Sequence, residues 1–263
     1  MVAAANGLVC GATAQILRLM QLEQHQAEIE QNLRYWQRKP LLQRIYAGFY
    51  SRIIQLIDPQ VTGGVLEIGS GIGNLKAYYP AAICSDLFPN PWLDLVCDGY
   101  DLPFDRGSLS HLTLFDVFHH LEAPRAFLKE ARRVLAPGGR LIIFDPYISL
   151  FSFPVYGLLH HEPVAWRMGI SKAEVSERPR HYYAAQGNAT RVFFRDGEGD
   201  LEKDWRVVHR EAFSAFSYLL SGGYSKPAMY PQAMLRTLGT IDRQLSRWPR
   251  LFGARCLVAM TPA

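Results

Sequence analysis

Three glycines at alternate positions, Gly69, Gly71 and Gly73, directly follow the aliphatic run Val65-Leu66-Glu67-Ile68. A strand that runs into such a turn lets the backbone take conformations closed to other residues and lets a ligand approach without meeting a Cβ. The spacing is Gly-x-Gly-x-Gly, with Ser70 inside it and Asn74 where a dinucleotide fingerprint has its third glycine. Glu67 stands two residues before the first glycine. A carboxylate there is awkward beside a pyrophosphate and suits a ligand carrying an amino group and a sulfonium. Further on, Asp86 closes a second aliphatic run, where a carboxylate can accept both hydroxyls of a ribose, with Leu87 beside it. Asp98-Gly99 closes a third. A dinucleotide site accounts for Asp86 but has no use for Asp98.

These residues require a sheet to position them. Val65 to Ile68, Ala82 to Ser85, Leu93 to Cys97, Leu109 to Phe115 and Arg140 to Phe144 alternate with helical stretches, the pattern of a parallel sheet covered on both faces. The clearest helix starts near Pro124, carries Phe127, Leu128, Ala131, Val134 and Leu135 on one face, and ends at Pro137-Gly138-Gly139. Trp205 to Phe216 and Ala254 to Met260 read as two more strands, flanking a helix that bears Leu235, Leu238, Ile241 and Leu245. The fold expected is α/β, Rossmann-like, with a mostly parallel seven-stranded sheet.

Two amphipathic helices precede the sheet. Leu19, Leu22, Ile29, Leu33 and Trp36 form one stripe, ending before Pro40, and Leu42, Ile45, Phe49, Ile53 and Leu56 form the other, closed by Asp58-Pro59. Residues 1–58 are therefore expected to be a helical cap on a domain spanning 59–263. Residues 147–190, rich in aromatics, His and Pro, read as an irregular insertion over the mouth of the sheet.

With Leu66-Glu67-Ile68-Gly69-Ser70-Gly71-Ile72-Gly73, Asp86, Asp98, Leu102-Pro103-Phe104, His119-His120 and Arg133-Val134-Leu135-Ala136-Pro137-Gly138-Gly139, the chain resembles the S-adenosylmethionine-dependent methyltransferases of the Rossmann-like class. The resemblance covers residues 61 to 146 and is specific for the methyl donor, much less so for the acceptor. It implies that S-adenosyl-L-methionine is the cofactor. Glu67, Gly69 and Gly71 would line its methionine end, Asp86 would hold the ribose, Asp98 and Gly99 would lie beside the adenine, and Phe115 would stand near the sulfonium. The sequence departs from the pattern at Ser110-His111-Leu112, where relatives have a Phe-Asp pair.

His119 and His120 follow the fourth strand, and one could act as a general base on an acceptor hydroxyl. The plainer reading has them cap the next helix and pack against the donor loop. His160-His161-Glu162 lacks a third ligand at metal-site spacing, so no metal is expected. Asp145-Pro146-Tyr147 resembles an amine-clamping motif but follows the fifth strand instead of the fourth, which makes it a decoy. Tyr35, Trp36, Tyr46, Tyr147, Phe151 and His161 are the candidates for an acceptor wall. The apolar stretch from Tyr147 to Leu159 reads as a second core layer, an acceptor wall or a peripheral membrane contact.

Charge narrows the partners. Twenty-eight Lys and Arg against 24 Asp and Glu give a net charge of +4, scattered without a long run, which is no footprint of a nucleic-acid binder. No apolar run reaches the roughly 20 residues of a membrane span. Four widely spaced cysteines without a CxxC pair fit a reducing cytoplasm. The reading is methyl transfer by direct displacement to a small or lipid- or sugar-linked acceptor. Its rivals are a nicotinamide-dependent oxidoreductase on the same sheet and a non-catalytic S-adenosylmethionine-binding protein.

Overall fold

A computed structural model of the chain describes residues 22–159, 164, 187–195 and 203–263. His161 and most of the stretch expected as an insertion lie outside the described residues. Residues 22–38 are helical and form α1, and α2, Pro40–Ile54, follows after the single residue Lys39. Pro40 sits in the first turn of α2, where its missing N–H costs nothing.

Seven strands form one sheet: β1 (Gly64–Ile68), β2 (Ala82–Asp86), β3 (Leu95–Val96), β4 (Leu109–Phe115), β5 (Leu135–Pro146), β6 (Trp205–Phe213) and β7 (Arg255–Pro262). Their order is β3-β2-β1-β4-β5-β7-β6. The pairings from β3 to β5 are parallel, while β7 runs antiparallel to both its neighbours. The other helices described are α3 (Pro124–Val134), α4 (Asn188–Phe194), α5 (Phe216–Leu220), α6 (Leu235–Leu245) and α7 (Pro249–Phe252). The fold is the Rossmann-like sheet that the sequence predicts.

Because β1, β4, β5 and β7 are covered on both faces, they read as continuous apolar runs, and their alternate residues feed two separate cores. Leu66, Ile68, Leu112, Leu114, Leu141, Ile143 and Val258 pack with Phe127, Leu128 and Ala131 of α3. On the other face, Val65, Ile142, Phe144, Leu257 and Ala259 pack with Leu42, Ile45, Tyr46, Phe49 and Ile53 of α2. Position i, i+3, i+4, i+7 spacing on α2 puts these side chains on one stripe, so the helix is an integral layer of the sheet's core.

Two expectations shift in detail. The third strand shrinks to Leu95–Val96, and β5 begins at Leu135, ahead of the Pro-Gly-Gly segment. Leu109 pairs with Leu135 and His111 with Arg140, so Pro137-Gly138-Gly139 is accommodated as an irregularity within β5.

Ser110 and His111, where the sequence leaves the family pattern, tie the start of β4 to what precedes β1. Ser110 Oγ donates to the carbonyls of Gly63 and Gly64, and His111 Nε2 accepts the Asp58 N–H at 2.9 Å. Arg140 reinforces the junction through the Leu56 carbonyl and the Asp58 carboxylate. Burial and the Arg140 charge push the His111 pKa down to about 4. Unfolded, the ring titrates near 6.5, so the unfolded chain binds the extra proton between those values and acid destabilises the fold there. Between pH 6.5 and 4 the wild type should lose on the order of 3 kcal/mol more stability than His111→Gln, measured by urea unfolding. Parallel losses in the two proteins would remove His111 from the account.

Candidate functional site

The carboxyl end of β1 opens into a cavity of about 800 Å³. Glu67, Gly69, Ser70, Gly71 and Ile72 form one wall, and Tyr46, Tyr50, Phe115, Tyr156, Tyr218 and Tyr224 form another. Asp116, His119, His120 and Arg255 also face it, as do Glu28, Gln31 and Asn32 of α1.

The glycines of the turn have different reasons to be glycine. All three have positive φ. A Cβ on Gly69 would stand 2.4 Å from Val117, and one on Gly73 would stand 3.0 Å from the Cβ of Trp92, so these two make room for neighbouring chain. At Gly71 the nearest atom would be Ile29 Cδ1 at 3.8 Å, and the space belongs to the cavity.

Glu67 is buried, and the serines around it fix its backbone: Ser85 Oγ and Ser70 Oγ both donate to its carbonyl, at 2.8 and 3.3 Å. Its carboxyl receives the Cys84 thiol at 3.8 Å. Burial is the largest influence on it and raises its pKa to about 8, with nearby Asp86 adding to the rise. At neutral pH this group is an uncharged acid facing a cavity.

Asp86 closes β2 and receives the Gly71 N–H on one oxygen and the Leu87 N–H on the other, at 3.0 and 2.7 Å. Burial raises its pKa, opposed chiefly by His25 of α1. The His25 ring packs against Phe88 at 5.2 Å, so α1 lies across this end of the site.

On the far side, Asp116 follows β4 in the left-handed region, with φ of 56°, and pairs with Arg255 at the start of β7. Arg255 is only 2% exposed and lies 4.3 Å over the Tyr218 ring. His119 Nδ1 lies 2.9 Å from Asp145 Oδ1 at the end of β5. Asp145 is fully buried, its second carboxylate oxygen has no hydrogen-bond partner among the described residues, and burial raises its pKa while His119 lowers it.

Residues 66–143 match the methyltransferase domain family. Demethylmenaquinone methyltransferase of Corynebacterium glutamicum is 33% identical over 88 residues, which are 34% of this chain and 37% of that protein. The chain thus matches little more than a third of that relative's length. Among solved structures, a chain of the complex between the Haloferax volcanii Trm112 methyltransferase activator and a methyltransferase aligns over 91% of this chain and 96% of its own, with a TM-score of 0.52 at 17% identity. A S-adenosylmethionine-dependent methyltransferase of Thermotoga maritima aligns over 90% and 99%, with a TM-score of 0.51 at 13% identity. At such identities the structures establish the fold. On a Rossmann-like sheet, residues 66–143 thus carry the match to the methyltransferase domain family.

Within the methyltransferase domain, the residues expected for the donor fall into two groups. Glu67, Gly69, Ser70, Gly71 and Phe115 line the cavity, as do His119 and His120. Gly73, Asp86, Leu87, Asp98 and Gly99 lie outside that lining: Asp98 accepts the Tyr100 N–H, Gly99 packs near Phe127 and Leu87 is exposed. Of the acceptor candidates among the described residues, only Tyr46 lines the cavity. Trp36 packs edge-on against Tyr46, and the Tyr35 hydroxyl donates to the Ser225 carbonyl. Tyr147 is buried in the α3-side core against Phe194, and Phe151 is exposed and stacked on Phe252.

Sequence reasoning missed Asp116, Arg255, Asp145, Tyr156, Tyr218 and Tyr224. Arg255 carried a signal, a charge at the head of an apolar run, and Asp145 was set aside as a motif after the wrong strand. Removing the Asp116 carboxylate strands a buried guanidinium, so Asp116→Ala should lower stability by about 3 to 5 kcal/mol in urea unfolding. Asp116→Asn should cost less, because its amide oxygen still accepts a hydrogen bond and Asn tolerates the left-handed backbone. Wild-type stability in Asp116→Ala would show that the pair holds nothing together.

Proposed function

We propose that this chain transfers a methyl group from S-adenosyl-L-methionine to an acceptor held against the aromatic wall of the cavity. The observation that carries the proposal is that the Gly71 backbone borders the cavity directly, with nothing nearer than Ile29 Cδ1 at 3.8 Å to where a Cβ would stand, so a ligand can reach the turn. Glu67 fits the same ligand, since a buried acid facing the cavity gains a partner when a cationic amino group arrives. When bound, the donor supplies an electrophilic methyl group on a sulfonium.

The chain's own residues do the rest. Glu67, Gly69, Ser70 and Gly71 would hold the methionine end and Asp86 the ribose, with Asp98 and Gly99 toward the adenine. Tyr46, Tyr50, Phe115, Tyr218 and Tyr224 provide flat apolar faces that exclude water and position a small, lipid-linked or sugar-linked acceptor. Asp145, bonded to His119 Nδ1, makes Nε2 the basic nitrogen, and His119 would take the proton that a hydroxyl acceptor loses as its oxygen gains the methyl. No covalent enzyme intermediate is required. A nicotinamide cofactor would bring no cationic amino group to Glu67, which favours the methyl donor.

Residues 1–58 would serve as the cap and 59–263 as the catalytic domain, with the insertion at 147–190 near the acceptor side, in a reducing cytoplasm that suits the free cysteines Cys84, Cys97 and Cys256. Calorimetry tests the donor assignment. S-adenosylmethionine and its demethylated product should bind the wild type, and Gly71→Asn, whose side chain tolerates the left-handed backbone, should abolish binding of both with an unchanged circular dichroism spectrum. Equal affinities would overturn the assignment. Asp145→Asn should keep donor affinity and lower turnover on a hydroxyl acceptor about 100-fold or more, with an altered pH profile. Turnover and a pH profile like the wild type's would remove the His119–Asp145 pair from the chemistry.

A further inference from the structure

Away from the cavity, two neighbouring segments present large apolar side chains to solvent. Leu150 is 64% exposed, Phe151 50%, Trp248 56% and Leu251 42%. They form one surface. The Leu150 N–H donates to the Arg250 carbonyl and the Phe151 N–H to the Leu251 carbonyl, at 3.3 and 3.0 Å, while the Trp248 carbonyl accepts from Leu251 within the same turn. The Phe151 ring lies stacked on Phe252 at 4.9 Å, which holds it in place at the surface.

The segment that carries Trp248 and Leu251 presents exposed charge of one sign. From Met234 to Phe252 the sequence holds four arginines, Arg236, Arg243, Arg247 and Arg250, and a single acidic residue, Asp242. The arginines are exposed, whereas Asp242 is buried and occupied by Ser214 Oγ and the backbone N–H groups of Phe216 and Ser217. Arg236, Arg243 and Arg247 recur at i, i+7 and i+11, one side of α6 and its extension. Aromatic and aliphatic side chains on a segment whose exposed charges are arginines suit the headgroup boundary of an anionic bilayer, where rings sit at the interface and guanidinium groups meet phosphate.

We propose that this face docks the protein on the surface of an anionic phospholipid bilayer. Its place in the chain gives the contact a use: Val155 and Tyr156, two and three residues after Phe153, line the cavity, so docking would hold that wall of the cavity close to an acceptor dissolved in the bilayer. That use rests on the methyl-transfer reading, whereas the docking does not.

Co-sedimentation of the full chain with vesicles tests it. The wild type should bind vesicles of phosphatidylglycerol and phosphatidylcholine, bind phosphatidylcholine alone far more weakly, and be released by salt. Arg247→Gln and Arg250→Gln should each reduce partitioning about fivefold, and Leu150→Ser with Trp248→Ser should reduce it further. Unchanged melting temperature and unchanged affinity for S-adenosylmethionine in these variants would show that the fold and the donor site are intact. Failure of the wild type to bind anionic vesicles would overturn the proposal, and so would equal binding by all variants. A dimer in solution that the same substitutions dissolve, without vesicle binding, would give the face to a second copy and overturn it as well.

Discussion

A carboxyl group held without its charge is the constraint around which the site is built. Glu67 lies near the end of β1, an interior strand, where neighbours on β2 and β4 shut out water, and an isolated carboxylate there would cost several kcal/mol. The protein resolves the conflict by keeping the proton, with a pKa of about 8. Ser70 and Ser85 lock the Glu67 backbone, and the Ser70 N–H bonds to the Ser85 carbonyl, so the glycine turn and the end of β2 are fixed as one piece. Asp86 then fastens the turn from the other side through the Gly71 N–H. The geometry is that of a rigid acid waiting for a cation.

Across the cavity the same conflict has the opposite solution. Arg255 is buried as deeply as Glu67 but cannot give up its proton, so it is matched by Asp116 and by the faces of Tyr218, Phe144 and Phe49. Reaching it requires Asp116 to take a left-handed backbone, a strain of roughly 1 kcal/mol or more. The aromatic wall is therefore organised around a charge: the Arg255 guanidinium lies over the Tyr218 ring, Tyr218 packs on Tyr46 at 6.0 Å, and Tyr46 stacks on Phe115 at 5.1 Å. One end of the cavity gains charge when a cation enters, and the other is already neutralised and presents flat rings.

The strands of the sheet, the glycine turn and α3 were legible in the sequence because each has a local signature: a buried apolar run, a repeated glycine, a 3.6-residue period ended by Pro-Gly-Gly. Partnerships across the sheet have no such signature. His119 was visible beside its strand, but Asp145 lies 26 positions later, and only the pairing of β4 with β5 brings them together. Ser110-His111 looked like a lapse in pattern, yet both residues bind backbone just ahead of β1. Tyr147 and Phe151 illustrate the limit of composition: one aromatic is core and the other is surface, and nothing local separates them. Gly69, Gly71 and Gly73 were read as a single ligand cradle, whereas the structure sorts them by what stands opposite each missing Cβ.

The central claim is that Glu67 waits uncharged and ionises against the donor's amino group, and proton release on binding measures this directly. Titrating the demethylated donor product into the protein at pH 7, in buffers of different ionisation enthalpy, should show that the wild type releases roughly one proton more than Glu67→Gln. The wild type's affinity should climb as pH rises toward about 8, where the folded carboxyl ionises by itself, relative to an otherwise parallel Glu67→Gln. Equal proton counts and parallel pH profiles in the two proteins would contradict the account.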